Sequence, residues 1–313
     1  EAVKVAKEGN LDIVHTQTEF SMGLIGKYVA RQLGIPAIHT YHTMYEDYLH
    51  YVLNGHLLRP VHVQQFTKSY LKNMDGVIAP SQRVAALLAR YGGESPMRVI
   101  PTGVDLDASS GPDKADLREK LGIAPDAQVI LTLGRVAAEK KIDRILRVMP
   151  DLLTEFPKLV FVIAGDGPDA DVLKEQVERL TLEDHVIFAG NIPHDQVASY
   201  YKMADFFVSA SDTETQGLTY IEALGSGRKC VVYKTDYTDQ VFNDPAYGLT
   251  FESLRQMKEE IAAYLRQGRQ EIPPQLLAKK LEEISASHFA SEVYKFYQYA
   301  IDNYQVKKED SND

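Results

Sequence analysis

Val160-Phe161-Val162-Ile163-Ala164-Gly165-Asp166-Gly167-Pro168 decides the fold. Its continuous apolar run reads as a buried strand, and the run stops at a Gly-x-Gly-Pro turn. Glycines allow positive φ and a close backbone approach, and a proline suits the first turn of a following helix. The same grammar recurs along the chain. Short runs rich in β-branched residues lie at 11–15, 37–41, 76–80 and 97–101, then at 128–134, 159–165, 186–190, 206–210 and 229–233. Between them fall longer segments of helical periodicity, such as 142–155, 170–180 and 220–225. Strands alternating with helices predict an α/β chain built on parallel sheets. Nearly every strand candidate ends in a Gly, Pro, Ser or Thr cluster, where open α/β sheets hold their ligands.

A chain of 313 residues is too long for one ordinary core and suits two. The polar stretch 105–112 (Asp-Leu-Asp-Ala-Ser-Ser-Gly-Pro) reads as the linker. It separates an expected first domain, 1–108, from a second, 109–285, with 286–313 as a carboxyl-terminal helix returning toward the first domain plus a charged tail. The first part opens on a helix and offers only four strands. Doubly wound domains normally begin with a strand and a Gly-rich turn, so an amino-terminal piece is expected to be absent. No apolar run reaches the ~20 residues needed to span a bilayer. The single cysteine, Cys230, allows no internal disulfide and reads as a buried strand residue in a reducing compartment. A net charge of −10 argues against nucleic-acid binding. The charge is uneven. Residues 1–105 hold 10 Lys and Arg against 9 Asp and Glu, and residues 106–313 hold 24 against 35.

Three strand ends carry chemistry. Leu131-Thr132-Leu133-Gly134-Arg135, followed by Glu139-Lys140-Lys141, is a strand feeding a basic loop and then a helix. Helix N-termini favour anions, and Arg135 and Lys140 add charge-assisted bonds to phosphate oxygens. The turn Gly165-Asp166-Gly167-Pro168 offers backbone contacts suited to a base or ribose, although a tight turn without a ligand would read the same. Glu214-Thr215-Gln216-Gly217-Leu218-Thr219-Tyr220-Ile221-Glu222 places two glutamates eight apart, which by spacing alone means little, since Glu175/Glu183 and Glu252/Glu260 repeat it. Context separates this pair: it follows a buried strand, has Gly217 at a helix start, and ends two turns into that helix. A carboxylate bridging vicinal hydroxyls is a common way to hold a sugar, so one glutamate fits a hexose and the other a ribose.

With these motifs in order, the sequence resembles the retaining family 4 glycosyltransferases of GT-B fold, in which two Rossmann-like domains face across a cleft. Residues 15–23 (His-Thr-Gln-Thr-Glu-Phe-Ser-Met-Gly), 40–48 (Thr-Tyr-His-Thr-Met-Tyr-Glu-Asp-Tyr) and 101–105 (Pro-Thr-Gly-Val-Asp) narrow the likeness to bacterial diacylglycerol α-glucosyltransferases. The resemblance implies transfer of glucose from UDP-glucose to diacylglycerol, at the inner face of the plasma membrane. It assigns Arg135 and Lys140 to a diphosphate clamp, Glu222 to the ribose, Glu214 to the transferred sugar, and the backbone of Gly217, Leu218 and Thr219 to the sugar or diphosphate. Gly134, Gly165, Gly167 and Pro168 complete the implied donor site. His42 resembles the amino-domain histidine that reaches the donor sugar, so His42, Glu214, Arg135 and Lys140 are the expected catalytic residues. His15 and His39 read as ordinary polar residues.

No metal is expected: Asp105-Leu106-Asp107 has the Asp-x-Asp form of metal-dependent transferases but sits in the linker. Residues 41–72 combine Tyr41, Tyr45, Tyr48, Tyr51 and Phe66 with Leu57, Leu58, Arg59, Lys68 and Lys72. That mixture fits an interfacial segment on an anionic membrane and equally a helix covering the sheet. Two rivals share these residues: a GT-B enzyme with another acceptor, such as a polyol, a sugar phosphate or phosphatidylinositol, and a catalytically silent nucleotide-sugar-binding module.

Overall fold

The computed structural model describes residues 1–46, 59–105, 114–214 and 216–310. The chain divides into two compact units, one of Glu1–Gly103 with Ser287–Asp313 and one of Val104–Ala286.

The first unit is a four-stranded sheet in the order β1 (Val14–Thr16), β2 (Ala37–Thr40), β3 (Gly76–Ala79) and β4 (Met97–Val99), parallel throughout. Side chains alternate across a strand, and both faces are covered. Ala37, Val77 and Ala79 pack with Tyr70, Leu71, Leu87 and Leu88 on one face. Ile38, Ile78 and Ile100 meet Val293, Phe296 and Ala300 of the helix Ala286–Asp310 on the other. The helix Pro60–Leu71 buries Val63, Thr67, Tyr70 and Leu71, and leaves Phe66 and Lys68 exposed. The sheet-covering reading of this segment therefore holds for the buried face of the helix. Tyr48, Tyr51, Leu57 and Leu58 lie outside the described residues.

The second unit is a six-stranded parallel sheet of β5 (Gln128–Leu133), β6 (Leu159–Ala164), β7 (Val186–Gly190), β8 (Phe206–Ser209), β9 (Cys230–Tyr233) and β10 (Gly248–Phe251). The order is β10-β9-β8-β5-β6-β7. Ile130, Phe161, Ile163 and Val208 face one core with Ile145, Leu146 and Met149 of the helix Ile142–Glu155. Leu131, Val162, Phe207 and Val232 face the other with Tyr201, Tyr220 and Leu224. The chain winds from β5 to β7 on one side and from β8 to β10 on the other, so β5 and β8 flank the topological switch point. Open α/β sheets bind ligands outside the carboxyl ends of the strands at that point.

Two local readings need correction. Strand β10 was not expected: it is four residues long and begins with a glycine, too little for a periodic signal. Pro168 precedes the helix Ala170–Arg179 by two residues and lies in the turn rather than in the helix's first turn. The expected linker falls largely on residues 106–113, outside the described residues. Among the described residues no helix is long and apolar enough to cross a membrane.

Candidate active site

Residues Gly134, Arg135, Lys140, Ser209, Glu214 and Thr219 line a crevice at the carboxyl ends of β5 and β8. Lys140 lies in a short 3-10 turn between β5 and the helix Ile142–Glu155. Its Nζ donates to Glu214 Oε1 at 2.5 Å. The next residue, Lys141, pairs with Asp212, whose carboxylate is also 4.0 Å from Arg144. Two adjacent ion pairs thus tie the loop after β5 to the loop after β8. Arg135 is exposed, and among the described residues it makes no ion pair. The crevice therefore presents one cation open to an anion and a second held against a carboxylate.

Gly217, at φ 56°, is the N-cap of the helix Leu218–Gly225. Leu218 is exposed and Thr219 is half-buried beside the crevice. Tyr220, fully buried, anchors this turn through a 3.0 Å hydrogen bond with Ser209 Oγ and stacking on Tyr237.

Gly165 and Gly167 sit in the loop after β6, which packs on the loop after β5. Gly134 N donates to Ala164 O at 2.9 Å, and Val136 N to Asp166 O at 3.0 Å. Gly165 has φ 140°, and a Cβ there would lie 1.8 Å from the carbonyl oxygen of Gly134. Its glycine requirement thus arises inside the protein, from loop-on-loop packing, before any ligand is considered. Pro168 follows in the same turn.

Glu222 does not line the crevice. It is half-buried and accepts a 3.0 Å hydrogen bond from Tyr201 Oη. Burial holds its carboxyl above the usual glutamate value, while the Tyr201 hydroxyl and the charge of His194 pull it partly back. His194 and Tyr201 carry no sequence signal, because their relation to Glu222 depends on how helices pack. Among the described residues no group of three or more His, Cys, Asp and Glu side chains could hold a metal ion.

His42 belongs to the other unit, just past the carboxyl end of β2, and is exposed. Its Nε2 is 2.6 Å from Gln17 Oε1. Gln17 Nε2 is 3.1 Å from His15 Nε2, and His15 contacts Thr40 Oγ1 and Tyr297 Oη, each at 2.8 Å. Burial, then the neighbouring His39 and His42, bring His15 down to about 4. Burial and His39 also lower His42, against an opposing pull from Glu19. Beneath them His39, fully buried, contacts Glu19 at 3.1 Å and Thr16 at 2.8 Å, and Tyr45 donates to Glu19 at 2.5 Å. Burial works to raise Glu19, but the hydrogen bonds from His39 and Tyr45 outweigh it and hold the carboxyl below its usual range. His15, read from sequence as an ordinary polar residue, is thus part of the His42 environment.

Comparison with known proteins agrees with this architecture. Residues 1–108 match the family described as Glycosyltransferase Family 4, and residues 113–283 match Glycosyl transferases group 1. An alpha-monoglucosyldiacylglycerol synthase of Streptococcus pneumoniae is 42% identical over 317 residues, covering 100% of this chain and 72% of that protein. A second, from Acholeplasma laidlawii, is 33% identical over 306 residues, covering 93% and 75%. The crystal structure of Anabaena Alr3699/HepE in complex with UDP shares the fold, with a TM-score of 0.79 at 19% identity over 95% of this chain and 80% of that one. Matched in both halves and built on two parallel Rossmann-like sheets, the chain belongs to the family 4 glycosyltransferases of GT-B fold.

Proposed function

We propose that this enzyme transfers glucose from UDP-glucose to diacylglycerol with retention of configuration, forming α-monoglucosyldiacylglycerol. The observation that carries the reading is the convergence of Arg135, Lys140, Glu214 and Thr219 on the switch-point crevice, in a chain 42% identical to a synthase of that name. Departure of a sugar diphosphate needs stabilisation of the negative charge that develops on the leaving oxygen. Preorganised cations in a restricted site supply it without reorganisation at the moment of reaction. Arg135 and Lys140 take that role, so the proposal enlists no metal. As the bond from the sugar C1 to the diphosphate oxygen breaks, the acceptor hydroxyl oxygen bonds to C1 from the same face. The hydroxyl proton passes to the departing diphosphate.

Glu214 holds hydroxyls of the transferred sugar, and Glu222 holds those of the ribose. The turn Gly165–Pro168 lies against the base or ribose, and the backbone of residues 217–219 approaches the sugar or diphosphate. His42, on the strength of the family resemblance, contacts the donor sugar. Calorimetry with UDP and UDP-glucose, followed by product analysis with diacylglycerol vesicles, tests the whole. Glucosyldiacylglycerol is the expected product. Turnover only with a soluble acceptor would point to a different acceptor class, and binding without turnover to a nucleotide-sugar-binding module.

The ribose assignment has its own pH signature. Glu222 must be ionised to accept two hydroxyl protons, and burial raises its pKa. UDP affinity is therefore expected to fall, as pH is lowered, at a higher pH than an ordinary glutamate would dictate. Tyr201→Phe removes a hydrogen bond that favours the carboxylate, so the fall moves further up in pH, at a stability cost of about 1 kcal/mol. Calorimetric titrations of UDP across the acid range check this; identical profiles for the two proteins would remove Glu222 from the nucleotide site.

The membrane surface is engaged by exposed residues of the helix Pro60–Leu71 and its two ends, with Phe66 as apolar contact and Arg59, Lys68 and Lys72 as cations. Each cation near an anionic surface contributes about 1 kcal/mol. The triple alanine variant is therefore expected to bind phosphatidylglycerol vesicles about a hundred-fold more weakly in a sedimentation assay. Unchanged binding would move the membrane contact elsewhere.

A further inference from the structure

Interatomic distances around Gln17 select one proton arrangement. The amide stands between two ring nitrogens, 2.6 Å from His42 Nε2 on its oxygen side and 3.1 Å from His15 Nε2 on its nitrogen side. Two arrangements satisfy an amide in this position. In one, His42 Nε2–H donates to the carbonyl oxygen and the amide NH2 donates to a bare His15 Nε2. In the other, the amide is turned over and both histidine tautomers reverse. The short contact separates them, because 2.6 Å lies at the short edge of N–H···O and further below the distance of an N–H···N pair, whereas 3.1 Å accommodates a nitrogen pair. The remaining partners, two hydroxyls able to donate or accept, accommodate the first arrangement. The lone pair of the bare His15 Nε2 is shared between the Thr40 hydroxyl at 2.8 Å and the amide N–H at 3.1 Å, and His15 Nδ1–H donates to Tyr297 Oη at 2.8 Å. His15 is also held neutral well into the acid range, as a ring with one bare nitrogen must be.

We infer that Gln17 is a positioning residue that fixes His42 as the Nε2–H tautomer, leaving Nδ1 as its acceptor nitrogen, with His15 and Tyr297 fixing Gln17 in turn. Which ring nitrogen carries the proton is set by the hydrogen bond made by the other atoms of the ring, and that choice decides what His42 offers a substrate hydroxyl. The chain reaches from the exposed His42 to Tyr297 on the helix Ala286–Asp310, so the carboxyl-terminal helix of this unit contributes to the orientation of a residue near its amino end. A consequence for turnover rests on the proposed role of His42; the tautomer itself does not.

Long-range proton–nitrogen NMR of protein labelled at histidine, at about pH 8, reads the tautomer directly. In the unaltered protein His42 is expected to show a protonated Nε2 and a bare Nδ1. Gln17→Leu should give a tautomer mixture and a kcat lower by about tenfold, as when a histidine loses its orienting partner, with UDP affinity within about twofold. Gln17→Glu keeps an acceptor for His42 Nε2–H and, with His15 switching to its Nε2–H form to donate to the second carboxylate oxygen, should restore the His42 tautomer and most of kcat. Unaltered His42 signals in Gln17→Leu, a protonated Nδ1 in the starting protein, or no recovery in Gln17→Glu would each overturn the assignment. A His42→Ala variant with full turnover would instead remove His42 from the reaction and leave the tautomer result standing.

Discussion

Lys140→Ala lowers kcat for glucosyl transfer by about a hundred- to a thousand-fold, the range found when one preorganised donor to a developing oxyanion is deleted. Two features of the site place the effect there. Among the described residues lining the crevice Lys140 is one of two cations, so on the proposed reading its removal takes away half the charge offered to the departing diphosphate. It is also the partner of Glu214 at 2.5 Å, so its removal takes one ion pair from a carboxylate whose side chain is only 14% exposed. On the proposed reading the ion pair holds both groups ready, and on donor binding phosphate oxygens would take over Lys140 and sugar hydroxyls Glu214. Stability should hardly change, because a partly exposed ion pair contributes about 0–1 kcal/mol. Lys141→Ala is the matched control: it breaks the neighbouring pair with Asp212 and should alter kcat by less than about threefold, the effect of an ion pair in that range. Steady-state kinetics with thermal denaturation separates the two. A Lys140→Ala enzyme retaining more than about a third of wild-type kcat would sink the clamp.

Gly165→Ala should destabilise the second unit by about 2–6 kcal/mol, combining backbone strain with overpacking. The added Cβ would stand 1.8 Å from the Gly134 carbonyl oxygen, and that atom belongs to the loop presenting Arg135. The expected readout is a fall in Tm of about 5–20 °C, together with loss of UDP binding as the two loops separate. Gly134→Ala sharpens the test. Gly134 also has positive φ, 135°, but the nearest atom to its Cβ would be the Thr219 methyl at 3.7 Å. Only the conformational cost applies there, about 1–3 kcal/mol. Equal destabilisation of the two variants would show that strain alone, not loop packing, explains Gly165.

The parallel α/β reading was available from residues alone because strand and helix periodicities are local. Nine strand candidates coincide with nine strands of the structure, although the first is observed at Val14–Thr16 rather than 11–15. The tenth, Gly248–Phe251, has no periodicity to read: its place depends on Cys230–Tyr233 lying alongside, and a Cβ at Gly248 would meet the Cys230 carbonyl at 2.3 Å. A side chain is excluded there by a neighbour about twenty positions away in sequence, which no local pattern records.

Site residues divide in the same way. That Gly134-Arg135, Glu139-Lys140, the Gly165 turn and the two glutamates each follow a strand is a property of short segments, and it was legible. Which of them meet is not. Lys140 and Glu214 are 74 positions apart, and Gln17 and His42 are 25 apart, and both pairs form only because particular strands are neighbours. The separation of Glu222 from the crevice lining, its bond to Tyr201, and the chain from His42 to Tyr297 have the same origin. The sequence by itself determined the kind of layer each segment enters and the residue types at each strand end, since side-chain periodicity and turn chemistry act over a few residues. The tertiary structure alone decided the order of strands, and with it which charges face each other, because contact energies between distant segments depend on their position in space and leave no mark on either segment alone.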